Sequence, residues 1–328
     1  MFQDKIILIT GGTGSWGYEL VRQLLKENPK EIRIFSRNEN NQVIMKRAFQ
    51  HHSKLKFIIG DIRDKRSLTE ALKHVDYVFH LAALKHVTVC EEQPYEALKT
   101  NVIGTKNVIE AAIENKVNKV IYISTDKAAN PANFYGITKS IGERLIIHAN
   151  LLSKHTTFVC IRAGNVLGSN GSVVHIFKQQ ILDNKKISIT DKNMTRFFLT
   201  LEEAISLLFK AAKESVGGEI FVMKMPSCRI QDLAKVLGTA YGKEVEFEEL
   251  GVRPGEKIHE ILFSEYEAQN TVVYDANYFV ILPKIHLQQI EERYHHYPRA
   301  EVKSYASNEH LMTHEEILQM LKKGKFVK

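Results

Sequence analysis

Between Lys5 and Arg162, six short apolar runs alternate with segments whose apolar residues recur at i, i+3 and i+4. The runs Lys5–Thr10, Glu31–Phe35, Leu55–Ile59, Tyr77–Leu81, Lys119–Ser124 and Thr157–Arg162 include several nearly unbroken apolar stretches. That is the pattern of parallel strands covered on both faces. The intervening Gly17–Lys26, Gln42–Gln50, Ser67–Lys73, Tyr95–Asn115 and Phe134–Leu152 read as helices. Strands alternating with helices predict an α/β fold built on a doubly wound parallel sheet. Right-handed crossovers then bring the strand C-terminal ends to one edge, where ligands bind.

After Arg162 the alternation breaks. Gly164–Gly171 is loop-like, Glu202–Lys213 reads as a helix and Glu219–Met223 as a strand. With 328 residues the chain has room for about two domains. The expected division is a dinucleotide-binding domain over 1–165, with 197–225 returning to it, and a smaller mixed α/β substrate domain over 166–196 and 226–328. Composition removes other classes. No apolar stretch is long enough to span a membrane. Cys90, Cys160 and Cys228 are widely spaced and odd in number, so they suggest neither a disulfide framework nor a metal site and point to a reducing, cytoplasmic setting. The net charge of +7 is scattered, which argues against nucleic acid and for an anionic small molecule.

Gly11, Gly14 and Gly17 form G-x-x-G-x-x-G between the first strand and the first helix. Together with Thr13, Ser15 and Trp16 they make a loop whose backbone can approach a pyrophosphate at a helix N-terminus. Trp16 either walls the site or packs. The second strand ends in Ser36-Arg37-Asn38-Glu39 in place of an immediate acidic residue. Ser36 and Arg37 suit a 2′-phosphate, so NADP is favoured over NAD. Asp61-Ile62 follows the third strand, and Asp61 either meets the adenine or caps the next helix. Ala82 and Ala83 let the backbone lie against a cofactor, and Lys85 and His86 point on toward the reacting side. Gly104 suits close packing. Tyr135 and Lys139 stand four apart on one helix face, where an ammonium can lower the tyrosine pKa and make it a base. No histidine shows metal spacing, and no metal is expected.

These motifs, with Thr125-Asp126-Lys127, resemble those of an extended short-chain dehydrogenase/reductase, a Rossmann-type family. The run TDKAANPANFYGITK from Thr125 to Lys139 resembles the UDP-N-acetylglucosamine 4,6-dehydratases that invert C5. Ile161–Gly171, Met194–Ala204, Glu219–Pro226 and Gly251–Glu260 look like the same group. The resemblance implies a cycle in which Tyr135 takes the 4-hydroxyl proton while hydride leaves C4. Lys127, with its pKa depressed by burial and neighbouring cations, removes the C5 proton. Asp126 protonates the departing 6-hydroxyl, and hydride returns to C6. It further implies that Lys139 bonds the nicotinamide ribose. Arg196, Arg253, Asn165 and Glu256 are its candidates for the UDP-sugar, beside Lys85 and His86. It also implies a short soluble form that assembles as a homo-oligomer, a dimer or hexamer, and a product destined for surface-glycan amino sugars. A UDP-GlcNAc 4-epimerase on the same scaffold is the rival, with no obvious use for Asp126-Lys127. A nucleotide-binding regulator is more remote, because both Tyr135 and Lys139 are present. Without the resemblance, Asp126-Lys127 reads equally as a turn with a local ion pair.

Overall fold

The computed structural model describes residues 1–169 and 171–327. Its framework is a nine-stranded sheet. The strands β1 (Ile6–Thr10), β2 (Glu31–Ser36), β3 (Leu55–Ile59), β4 (Tyr77–His80), β5 (Lys119–Thr125) and β6 (Thr157–Ala163) lie in the order β3-β2-β1-β4-β5-β6, all parallel. This is the doubly wound α/β sheet that the alternation requires, and its switch point lies between β1 and β4. Ile220–Met223 adds a seventh parallel strand beside β6. Tyr278–Ile281 and Thr271–Val273 extend that edge antiparallel. The large sheet thus takes strands from beyond residue 226 as well as from 197–225.

The sheet is buried on both faces. Ile7, Leu8, Ile9, Ile32, Ile34, Val78, Phe79, Val120 and Ile121 are all inaccessible or nearly so. A second apolar cluster gathers Val174, Phe177, Ile181, Leu233, Leu237, Ile317 and Leu321 from the second half. Small sheets belong to this half, including Asn165–Val166 with Thr195–Leu199 and Ser227–Arg229, and Ile261–Phe263 with Tyr305–Ala306.

The single helix expected over Tyr95–Asn115 is instead segmented. Val87–Glu92 and Pro94–Ala97 are short helices, Leu98–Ile103 is a π-helical turn, and an α-helix runs Gly104–Glu114. A π turn inserts one residue into an otherwise helical path, a change in phase too small to read from apolar spacing. Gly104 does mark a close approach, since a Cβ there would sit 2.6 Å from Ile62.

Candidate active site

A cleft of about 680 Å³ runs along the C-terminal ends of the parallel strands. The glycine loop forms one end. Gly11 has φ +66°, and a Cβ there would lie 2.8 Å from the Ala82 backbone. At Gly17 a Cβ would come within 1.9 Å of the Gly12 carbonyl oxygen, so no other residue fits. Gly14 is the N-cap of helix Ser15–Lys26 and supplies no capping side chain. The helix N-terminus bears partial positive charge, which favours an anion such as a diphosphate beside it. Thr13, Ser15 and Trp16 line the cleft beside it, and Trp16 also packs against the main core.

At the far side of the loop, Ser36, Arg37, Asn38, Asp61 and Ile62 line the cleft. Ser36 is buried and its Oγ accepts from Gln42 Nε2 at 2.9 Å. Asn38 caps helix Glu39–Ala48 through Asn41 N–H. Asp61 is gripped by Arg63 at 2.7 and 2.9 Å, whereas Arg37 stands 3.9 Å away and half exposed. Asp64, and not Asp61, caps the next helix.

Buried His80 ties β1 to β4. Its Nδ1 lies 2.7 Å from Thr10 Oγ1 and its Nε2 3.1 Å from Thr105 Oγ1. Burial, with help from Lys139, pushes its pKa down to about 3, so the ring is neutral. Thr105 donates to the Asn101 carbonyl at 2.7 Å, and Thr10 Oγ1 accepts from Ala82 N–H at 3.3 Å. Asn101, from the π turn, bonds both the N–H and the carbonyl of Leu84, at 2.8 and 2.9 Å, and Thr138 Oγ1 at 3.0 Å. The stretch Ala82–His86, all of which lines the cleft, is thereby anchored to the helix that carries Tyr135. Asn101, which the sequence places on the helix after this stretch without a role, is a positioning residue.

Helix Phe134–Leu152 starts at Asn133, whose side chain caps Gly136 N–H at 2.8 Å and donates to Gly255 O at 2.8 Å. The helix presents Tyr135 and Lys139 to the cleft. Tyr135 does not have the lowered pKa expected from a neighbouring Lys139. Burial pushes it up to about 12, and the groups that pull it back are Lys127 and the Thr125 hydroxyl, which hydrogen-bonds it. Lys139 directs its ammonium away from Tyr135. Its Nζ donates to Ile123 O at 2.6 Å and lies 3.9 Å from the Tyr122 ring centroid. Burial lowers its pKa to about 7.

The depressed pKa expected for Lys127 is also overturned. Burial does lower it, but the carboxylates of Asp126 and Glu260, each 3.1 Å from Nζ, more than compensate and hold it above the ordinary lysine value. Asp126 is buried beneath Lys127 and Thr125 and does not line the cleft; its Oδ1 accepts from Thr125 Oγ1 at 2.9 Å. A chain Tyr135–Thr125–Asp126–Lys127–Glu260 results.

The candidates from the second half divide. Asn165 lines the cleft. Arg196 is buried, and its Nη1 donates to the Thr195 and Ile258 carbonyls at 2.7 and 3.1 Å. Arg253 is exposed outside the cleft, and Glu256 lies outside it as well. Ser172, which nothing in the sequence singled out, and Phe198, within the Met194–Ala204 run, also line it, and the buried Ser172 hydroxyl has no partner among the described residues.

Residues 7–282 match the family described as polysaccharide biosynthesis protein. A Campylobacter jejuni protein named UDP-N-acetylglucosamine 4,6-dehydratase (inverting) is 44% identical, covering 88% of this chain and 85% of its own. A Rickettsia typhi protein named UDP-glucose 4-epimerase is 47% identical, over 80% of this chain and 79% of its own. The crystal structure of Pen from Bacillus thuringiensis superposes with a TM-score of 0.91 at 40% identity, over 98% of this chain and 99% of that one. The chain therefore belongs to the polysaccharide biosynthesis family of extended short-chain dehydrogenase/reductases, the family that holds the inverting UDP-N-acetylglucosamine 4,6-dehydratases.

Proposed function

We propose that the protein is a UDP-N-acetylglucosamine 4,6-dehydratase that inverts C5 and holds a nicotinamide dinucleotide, NADP in preference to NAD. The observation that carries this reading is the chain Tyr135–Thr125–Asp126–Lys127, which joins a candidate base for the 4-hydroxyl to an acid–base pair. The glycine loop and uncapped helix N-terminus fit the dinucleotide diphosphate, and half-exposed Arg37 supports a 2′-phosphate. When bound, that group accepts hydride from C4 and returns it to C6.

Tyr135 takes the 4-hydroxyl proton, helped by the charge of Lys127 and the Thr125 hydrogen bond, which offset part of the cost of a buried phenolate. Lys127 enters the cycle charged. It becomes a base by passing a proton to Asp126, its neighbour at 3.1 Å, which leaves a neutral amine and a carboxylic acid. The amine then removes the C5 proton, acidified by the 4-keto group. The acid supplies the proton lost with the 6-hydroxyl as water, through Thr125, which lines the cleft. Tyr135 then releases to solvent the proton it took from the 4-hydroxyl, and solvent delivers one proton to C5 from the opposite face, which inverts C5 and returns every group to its starting state. Cytoplasmic UDP-sugar and a homo-oligomeric state complete the reading; no helix among the described residues is long and apolar enough to cross a membrane.

The test is NMR of the product formed from UDP-N-acetylglucosamine in deuterated water. A 4-keto-6-deoxy sugar with inverted, deuterated C5 is the expected result. The Lys127→Ala variant loses dehydration by at least ~100-fold while nucleotide still co-purifies. The Rickettsia relative named an epimerase favours the second reading, a 4-epimerase. UDP-N-acetylgalactosamine as the only product would establish it and overturn the first.

A further inference from the structure

Lys127 draws its second carboxylate from the far half of the chain. Glu260 is 2% exposed and its Oε1 lies 3.1 Å from Lys127 Nζ. Its backbone is pinned independently of that contact. The Glu260 N–H donates to Ser307 Oγ at 2.9 Å, and its carbonyl accepts from Ser307 N–H at 2.8 Å. Ser307 Oγ in turn lies 2.7 Å from Thr195 Oγ1, and the strand that follows Glu260 pairs with Tyr305–Ala306. The carboxylate is thus a fixed charge against which the lysine is held. Glu260 Oε2 is buried with no hydrogen-bond partner among the described residues, and Arg196 Nε stands 3.9 Å from Oε1. The compensation for burying this carboxylate therefore falls chiefly on Lys127.

We propose that Glu260 is a positioning residue that acts through Lys127, fixing its ammonium by their ion pair and so controlling how readily Lys127 gives up a proton. The groups facing Lys127 are Asp126 on its own turn, Glu260 and Lys257 from the segment before Ile261, Arg196 on strand Thr195–Leu199, and Tyr135 on its helix. Two carboxylates oppose two further cations. The Glu260→Gln substitution keeps the shape and removes one carboxylate, leaving one anion against Arg196 and Lys257. Lys127 then loses its proton at lower pH, by about one unit or more for the loss of a close opposite charge.

This inference rests on the dehydratase reading for its meaning, but its test needs no substrate. Methyl acetimidate labels only the neutral amine, and Lys127 lines the cleft that admits it. Labelling of Lys127 in the full chain is followed across a pH series by peptide mass spectrometry. The midpoint is expected about one unit or more lower in Glu260→Gln, a tenfold gain in labelling at a given pH below the midpoint. Ser307→Ala, which loosens Glu260 without changing charge, is expected to shift it in the same direction by less. An unchanged midpoint in both, or in Ser307→Ala if the first variant fails to fold, overturns the proposal even if thermal stability falls. Failure to dehydrate UDP-N-acetylglucosamine, with the labelling shift intact, would count against the dehydratase reading alone.

Discussion

A lysine four residues after a tyrosine shares its helix face, yet Lys139 turns its ammonium to the Ile123 carbonyl and the Tyr122 ring while Lys127 supplies the charge felt by Tyr135. The buried Lys139 has a folded pKa near 7, below its ordinary value of 10.5. Between those two pH values the unfolded chain holds more protons, so this residue makes the fold more stable as pH rises; below about 7 its penalty is fully present. In protein stripped of nucleotide, Lys139→Met should therefore gain stability relative to the parent at pH 6. Thermal unfolding across pH 6 to 9 should show that advantage shrinking as pH rises. A difference in Tm independent of pH would contradict the burial argument. The spacing was legible in the sequence; the direction of the ammonium was not, because it depends on which strand carbonyl lies beneath the helix.

At the scale of elements, strand and helix positions in the first half followed from apolar period, since the strands other than the half-exposed edge strand β3 are largely buried on both faces and each helix on one. The segment after β4 did not. Its π turn places Asn101 so that one side chain holds both backbone groups of Leu84 and the Thr138 hydroxyl. Asn101→Leu removes these partners and leaves buried polar groups unpaired, at a cost of about 1–3 kcal/mol. Denaturant unfolding should register that loss, and nucleotide affinity should weaken several-fold because Ala82–His86 is no longer anchored. Retained affinity would show that the loop is positioned without Asn101.

Across the molecule, a buried ion triad joins the two halves. Arg162 on β6 donates to both oxygens of Glu143 at 2.6 and 2.9 Å and to both oxygens of Glu267 at 2.9 and 3.0 Å, and also to Leu262 O at 2.8 Å. Glu143 lies on the helix that carries Tyr135, and Glu267 on the short helix Glu265–Ala268 of the second half. Burial opposes the guanidinium charge, but the two carboxylates outweigh it and hold its pKa above the usual range. Arg162→Met should cost about 3–5 kcal/mol in denaturant unfolding, because it strands two carboxylates away from full solvent. A loss below about 1 kcal/mol would mean that the triad contributes little to joining the halves.

The sequence by itself determined the six strand segments of the first half, the glycine loop and the Tyr135–Lys139 helix. Each depends on residues near one another in the chain, where periodicity and spacing translate directly into shared faces and turns. Tertiary structure decided the electrostatics. It placed Glu260 against Lys127, drew Arg196 into carbonyl contacts, left Arg253 and Glu256 outside the cleft, and buried Asp126 beneath Thr125. A pKa or an ion pair depends on which charges meet in space and on how much water they lose. For Lys127 the carboxylate of Asp126 beside it is joined by a second, Glu260, brought from the opposite half of the chain and pinned there by the Ser307 hydrogen bonds.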